Sequence, residues 1–295
     1  MTTPKFCSHI KKGLKPRPHN TYMLFTSHLM RNGKTMLYYP MKKKITIHKK
    51  NEIIRGTDDY SVMGKRALNA IYWAYQKHDL FKHNSVPISF ATLRRLMHLE
   101  KDNRYVDTLK EAMRELKATI ELNNFYHPID ECTYSWYATS FINDVGFKKD
   151  ADGAWVAHVE IGNLMRYIMQ LEGNFTPLNI IEYANSFRTK YAMKIYEYLK
   201  SFGGYRYLDI TQKHMMSLLS LDEKSTYKYY SKLTELVERQ LKEIALKSDL
   251  KEVRLMHSKA LTKDRIFRIM IDPKNKKNVE KIIAKTALDN LIKRF

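Results

Sequence analysis

Between Lys224 and Arg239 the chain places Lys224, Ser225, Tyr227, Lys228, Lys232 and Arg239 among apolar residues that recur at helical spacing. This set lacks the paired nucleophile and base of a covalent catalyst, but it makes a good hydrogen-bonding surface. Lysine donates to guanine O6 and N7, serine donates or accepts, and tyrosine reaches a phosphate or packs on a thymine methyl. Ser225, Lys228 and Lys232 are expected early on a helix, where a major groove admits them, with Lys224 and Tyr227 beside them at phosphates. Further along come Lys251, Arg254, His257, Lys259, Lys263 and Arg265, a charge density suited to a neighbouring groove or phosphate row.

These residues need a frame, and the flanking segments supply one. From Phe187 the order is a helix (FRTKYAMKIYEYLKSFGG), a short helix (TQKHMMSLLS), a turn at Leu221 and Asp222, and a long helix (EKSTYKYYSKLTELVERQLKEI). Two basic strands follow, in SDLKEVRLMHSK and DRIFRIMID. This is the order of a winged helix, a helix-turn-helix with a β-hairpin appended. Thr211 is placed to cap the short helix, and Asp222 or Ser225 the long one. Leu233, Leu236, Val237 and Leu241 form the buried stripe, extended by Tyr229 or Tyr230.

The first half repeats the plan. A helix over Tyr60–His78 carries Val62, Leu68, Ile71, Tyr72 and Tyr75 at helical spacing. Ser89 caps FATLRRLMHL, and Asp102 caps NRYVDTLKEAMRELK, whose stripe is Val106, Leu109, Met113 and Leu116. Arg104, Lys110, Arg114 and Lys117 fall mainly off that stripe, with Asp107, Glu111 and Glu115 interleaved. Strand-like segments ATIEL, TYSWYATSFINDVGF and AWVAHVEI follow, with a hairpin signal in KKDADG, and Asn163–Leu171 reads as a closing helix. The predicted fold class is α+β, with tandem, pseudo-duplicated winged-helix domains. Residues 1–20 read as a flexible basic arm, 21–172 as the first domain and 180–295 as the second, with Gly173–Asn179 (GNFTPLN) as linker. Val279–Phe295 is amphipathic and is expected to pack on its own domain.

Composition bounds the partners. A chain of 295 residues with 44% hydrophobic and 12% aromatic content can bury two cores, so general disorder is excluded. A formal net charge of +21 favours a polyanion, because neutralising phosphates releases condensed counterions. Residues 1–56 hold 13 of the Lys and Arg residues and one acid, Glu52. Two separated cysteines, Cys7 and Cys132, give neither a disulfide framework nor a zinc cluster and suit a reducing cytoplasm. No stretch approaches about 18 apolar residues, so no membrane span is expected.

Enzymes acting on DNA fit poorly. A rolling-circle nuclease needs a His-x-His pair, and none of the 11 histidines stand two apart. His28-Leu29-Met30-Arg31 matches a recombinase string, with too little chain before it to build the site. Gly33-Lys34-Thr35 ends like a phosphate loop, but position 28 is His where glycine is required. Asp58/Asp59 and Asp150/Asp152 read as a helix cap and a hairpin turn. The expectation is a binding protein with no catalytic residue, no metal and no cofactor. A winged-helix transcriptional repressor or a partition-type DNA-binding protein is the rival reading, and a DNA-processing nuclease or recombinase a more distant one.

Three segments resemble the iteron-binding plasmid replication initiators of the theta type. They are FRTKYAMKIYEYLKSF, the short helix ending MMSLLSL, and YSKLTELVERQLKEIALKSDLKEVRLM with RIFRIMI closing the wing; KEIALKSDL (Lys242–Leu250) matches the family's passage from long helix to strand. The resemblance implies binding of direct repeats in double-stranded origin DNA as a monomer, and autorepression by a homodimer formed through the first domain. It implies host initiator, replicative helicase and chaperones as partners. The family's DNA contacts map onto Lys224–Arg239, while the first half matches by order of elements.

Overall fold

The computed structural model describes residues 45–77, 85–127, 129–170, 173–222, 224–256 and 265–271. Strand β1 (Thr46–Lys50) runs into a one-turn helix α1 (Asn51–Arg55), then α2 (Val62–Lys77), β2 (Ser85–Ser89), α3 (Phe90–Leu96) and α4 (Tyr105–Glu115). Four strands follow, β3 (Thr119–His127), β4 (Cys132–Ser140), β5 (Ile142–Lys149) and β6 (Trp155–Ile161), and a helix, α5 (Asn163–Gln170). Strand β7 (Phe175–Asn179) and a π-helical turn at Ile180–Ala184 lead to α6 (Lys190–Lys200), β8 (Tyr207–Thr211) and α7 (Gln212–Leu218). The last elements are a 3-10 turn (Thr226–Lys228), α8 (Tyr230–Lys247), β9 (Arg254–Met256) and β10 (Ile266–Met270).

The sheets show one plan used twice. β2 pairs with β6 and β6 with β5; β8 pairs with β10 and β10 with β9, all antiparallel. In each unit the strand between the first two helices lies against the last strand of the hairpin, which is the winged-helix arrangement. The first unit adds an inserted hairpin, β3–β4, ahead of its wing.

The duplication extends to single residues. Ser89 ends β2 and caps α3 by accepting the Thr92 N–H (3.2 Å); Thr211 ends β8 and caps α7 by accepting the His214 N–H (3.2 Å). Each helix then closes on a residue with positive φ, His98 at 59° and Ser220 at 50°. The following N–H groups reach back, Leu99 to Arg94 O (2.8 Å) and Leu221 to Met216 O (3.0 Å), as in a Schellman ending. Ser89→Ala and Thr211→Ala are each expected to cost about 1 kcal/mol. The check is a lower urea midpoint with unchanged slope.

Two expectations are corrected. The segment read as a linker contains β7, paired with β1 from Thr46↔Asn179 to Lys50↔Phe175. Its Thr176 and Leu178 are buried and its Phe175 and Pro177 exposed, a period-two pattern that the proline masked. A two-stranded sheet leaves each strand one open edge, which is where proline is tolerated. The run TYSWYATSFINDVGF is two strands in two sheets, because the buried Phe141 breaks it between β4 and β5.

The predicted stripes otherwise hold. Leu68, Ile71, Tyr72 and Tyr75 of α2 are buried, as are Leu109, Met113 and Leu116 by α4, and Leu233, Leu236, Val237 and Leu241 of α8. Asp102 accepts the Arg104 N–H (2.8 Å) and the Thr108 hydroxyl (2.9 Å) at the start of α4. The turn after β5 is closed by Asp150, whose Oδ1 accepts the Ala154 N–H (2.8 Å), and Gly153 supplies a φ of 78°. Helices α2 and α6, the first helix of each unit, are covered almost all round and pack on one another. The arm over residues 1–20, the wing residues His257, Lys259 and Lys263, and the amphipathic Val279–Phe295 lie outside the described residues.

Candidate nucleic-acid interface

The helix expected from Lys224 begins later. α8 starts at Tyr230, and its N-cap Tyr229 makes no side-chain bond. Asp222 and Ser225 close the preceding turn instead: Asp222 Oδ1 accepts the Lys224 N–H (2.8 Å), and Ser225 Oγ donates to Asp222 O (2.6 Å). Short polar side chains that bond their own backbone compete with helix in this way. Lys224, Ser225, Tyr227 and Lys228 therefore precede the helix rather than line its first turns. Tyr227 packs against the core, while Lys228 is exposed with its ammonium 5.3 Å from the Tyr229 ring.

α8 itself turns Ser231, Lys232, Glu235, Arg239 and Lys242 outward. Lys232 pairs with Glu235 at 3.0 Å. Tyr230, not Tyr229, extends the apolar stripe: its ring lies 4.8 Å from Phe267 and its hydroxyl donates to Ile266 O (3.1 Å). Tyr229 is 59% exposed.

Three elements meet at the start of this helix. Gln212 of α7 donates through Nε2 to Lys228 O (2.7 Å) and through its N–H to Arg265 O (2.9 Å). The Arg265 guanidinium lies 5.3 Å from the Tyr230 ring. Lys228, Lys232 and Arg265 are thus gathered around a helix N-terminus with uncapped N–H groups, a favourable place for a phosphate. Arg254 is exposed but belongs to the other end of the hairpin, opposite Met270. Arg268, also exposed, is committed to Asp209 by two bonds of 2.8 and 2.6 Å, which hold that carboxyl below the usual range.

In the first unit α4 exposes Lys110 and Arg114, with Arg104 just before it and Lys117 just beyond, both also exposed. Lys110 lies 3.7 Å from Asp107, and Lys117 3.5 Å from Asp144. Sequence reasoning missed an aromatic, basic ledge beside the start of α4. Trp155 of the wing stacks on Phe90 (5.9 Å) with Lys149 5.7 Å from its ring, and Arg94 lies 4.2 Å from the Tyr105 ring. Residues 90, 105 and 155 share no local periodicity, so only the fold brings them together. Among the described residues no cluster of His, Cys, Asp or Glu could hold a metal ion, and no helix is long and apolar enough to cross a membrane.

Residues 46–200, just over half of the chain, match the family described as Initiator Replication protein, WH1. The chain belongs to this family of replication initiators. The match runs from β1 to the end of α6, the half where the resemblance rested on order of elements; the quoted motifs lie mostly after it. Among solved structures, the initiator is similar to domain 2 and domain 3 of RctB, at 11% identity over 72% of this chain and 81% of that one, with a TM-score of 0.41. A comparison with curated proteins gives no match.

Proposed function

We propose that this initiator binds direct repeats at a plasmid origin as a monomer, through both winged helices, and represses its own gene as a homodimer. The observation that carries the reading is the duplication: two winged-helix units in one chain, each with a helix in the recognition position, α4 or α8, that exposes basic side chains. Phosphate contacts supply affinity, and α8 supplies most of the sequence choice. The initiator acts by binding, without chemistry of its own, in the cytoplasm. Host initiator, replicative helicase and chaperones then engage the protein–DNA complex.

The inserted hairpin supports dimerisation through the first unit. β4 (CTYSWYATS) carries no charge and no proline, and among the described residues it pairs only with β3. Trp136 on it, with Tyr126 and Ile129 nearby, is more than half exposed. An edge strand without protective charges is open to pairing with another strand.

The test is a titration of purified protein on duplex from upstream of its own gene, with repeats intact or scrambled, across a salt series. Affinity that survives near-physiological salt and collapses on scrambling is expected. Equal, salt-sensitive binding to both duplexes would reduce the protein to non-specific charge. Lys232→Ala is expected to cost about 1–3 kcal/mol on the specific site, as a base contact does. Lys228→Ala, ahead of the helix, is expected to weaken every sequence alike. A specificity ratio unmoved by Lys232→Ala would remove α8 as the reader.

A further inference from the structure

The contact between α2 and α6 is built from charges rather than from apolar side chains alone. Asp58, just before α2, accepts from Lys65 of α2 (2.6 Å) and Lys194 of α6 (2.7 Å), and Lys194 also donates to Gly56 O (2.5 Å). Lys49 of β1 donates to Glu197 of α6 (2.7 Å), and Asn69 of α2 bonds both, at 3.2 and 3.3 Å. The five charged side chains are each at most 7% exposed. Asp58, Lys65, Lys49 and Asn69 belong to the first unit, and Lys194 and Glu197 to the second.

Apolar side chains of similar size would hold two helices together as well or better, since burying ions costs desolvation that their attraction only partly returns. What an ionic network adds is direction. An apolar contact tolerates sliding, whereas a shift of one helix by a turn would strand ammoniums and carboxylates away from their partners in a poorly screened interior.

We infer that the network around Asp58 and Glu197 positions one winged helix relative to the other, and thereby sets the base-pair spacing at which α4 and α8 engage a single site. Asp58, Lys65, Lys194, Lys49 and Glu197 are positioning residues: they are buried and act through the recognition helices. The inference rests on the proposal that both units contact DNA.

The experiment uses the full chain, with Cys7 and Cys132 replaced by serine, and the duplex this protein enriches from a randomised pool. Base pairs are inserted one at a time between the two protected segments. The parent is expected to lose about tenfold in affinity for a one- or two-base-pair insertion, the scale of a mismatched site. Asp58→Asn is expected to bind all spacings nearly alike. In case that variant does not fold, the triple change Asp58→Leu, Lys65→Met and Lys194→Met removes the triad while keeping apolar bulk. Thr57→Cys with Ser217→Cys, whose native hydroxyls stand 3.3 Å apart between the segment before α2 and helix α7 of the second unit, adds a reversible staple. Oxidation should restore the spacing penalty to either variant, and reduction should abolish it. A folded variant that keeps the parental penalty, or a staple that restores nothing, overturns the inference. A parent indifferent to insertions overturns the two-unit reading of DNA binding, and this inference with it.

Discussion

Glu197→Gln is expected to lower the unfolding free energy by about 3–5 kcal/mol, the cost of breaking a buried ion pair from one side. For a chain of this size that corresponds to a fall in Tm on the order of 10 °C. The Lys49 ammonium would keep Asn69 Oδ1 at 3.2 Å but lose the carboxylate at 2.7 Å, in surroundings from which water is excluded. The cost comes from the cation left behind rather than from the strength of the pair. The paired change Lys49→Met with Glu197→Leu is therefore expected to recover most of the loss. Thermal melts of the single and double variants decide it: a single variant within about 1 kcal/mol of the parent, the scale of an exposed pair, would mean that water reaches the site.

Acidification is expected to destabilise the fold well before the surface carboxylates alone would. Burial works to raise the Asp58 carboxyl, but the ammoniums of Lys194 and Lys65 outweigh it and hold Asp58 far below the ordinary carboxylate range. Glu197 is likewise lowered against the pull of burial, chiefly by Lys49. As pH falls through about 4, carboxylates of the unfolded chain take up protons that these two still refuse. The unfolded state then binds more protons, so stability drops with each step of acidification. One such carboxylate contributes on the order of 2–3 kcal/mol at neutral pH. Urea midpoints measured from neutral pH down to about 3 should fall steeply below about pH 5, and more shallowly in Asp58→Asn. Equal slopes would show that Asp58 is not held ionised by its lysines. Lys194, pushed down by burial to about 8 against the pull of Asp58, gives a slope of the same sign at alkaline pH. There the unfolded chain retains a proton that the folded chain has released, so stability rises from about 8 toward the ordinary lysine range.

Much of the candidate interface was legible because its signals are local. The apolar stripe of α8 fixes which face is buried, so Lys232 and Arg239 had to point outward. The stripe of α4 does the same for Arg104, Lys110 and Arg114. The start of α8 was not legible: Asp222 and Ser225 are good caps in isolation, and only the competing turn spends them before the helix begins. The strand β7 escaped because Gly173 and Pro177 signal a linker, and its partner β1 lies more than a hundred residues earlier. The ledge of Phe90, Tyr105 and Trp155 is likewise a product of packing alone.

The sequence by itself determined the duplicated plan of helices and hairpins and the polyanionic partner. Caps, stripes and turns are decided within a few residues, and net charge is additive whatever the fold. The tertiary structure alone decided which charges are withdrawn from water. Lys49, Lys65 and Lys194 look like any other lysines along the chain, yet they are buried. Glu197 lies 148 residues from Lys49, and Asp58 136 residues from Lys194. Burial and long-range pairing arise when α2, α6 and β1 pack together, and no local pattern records that choice.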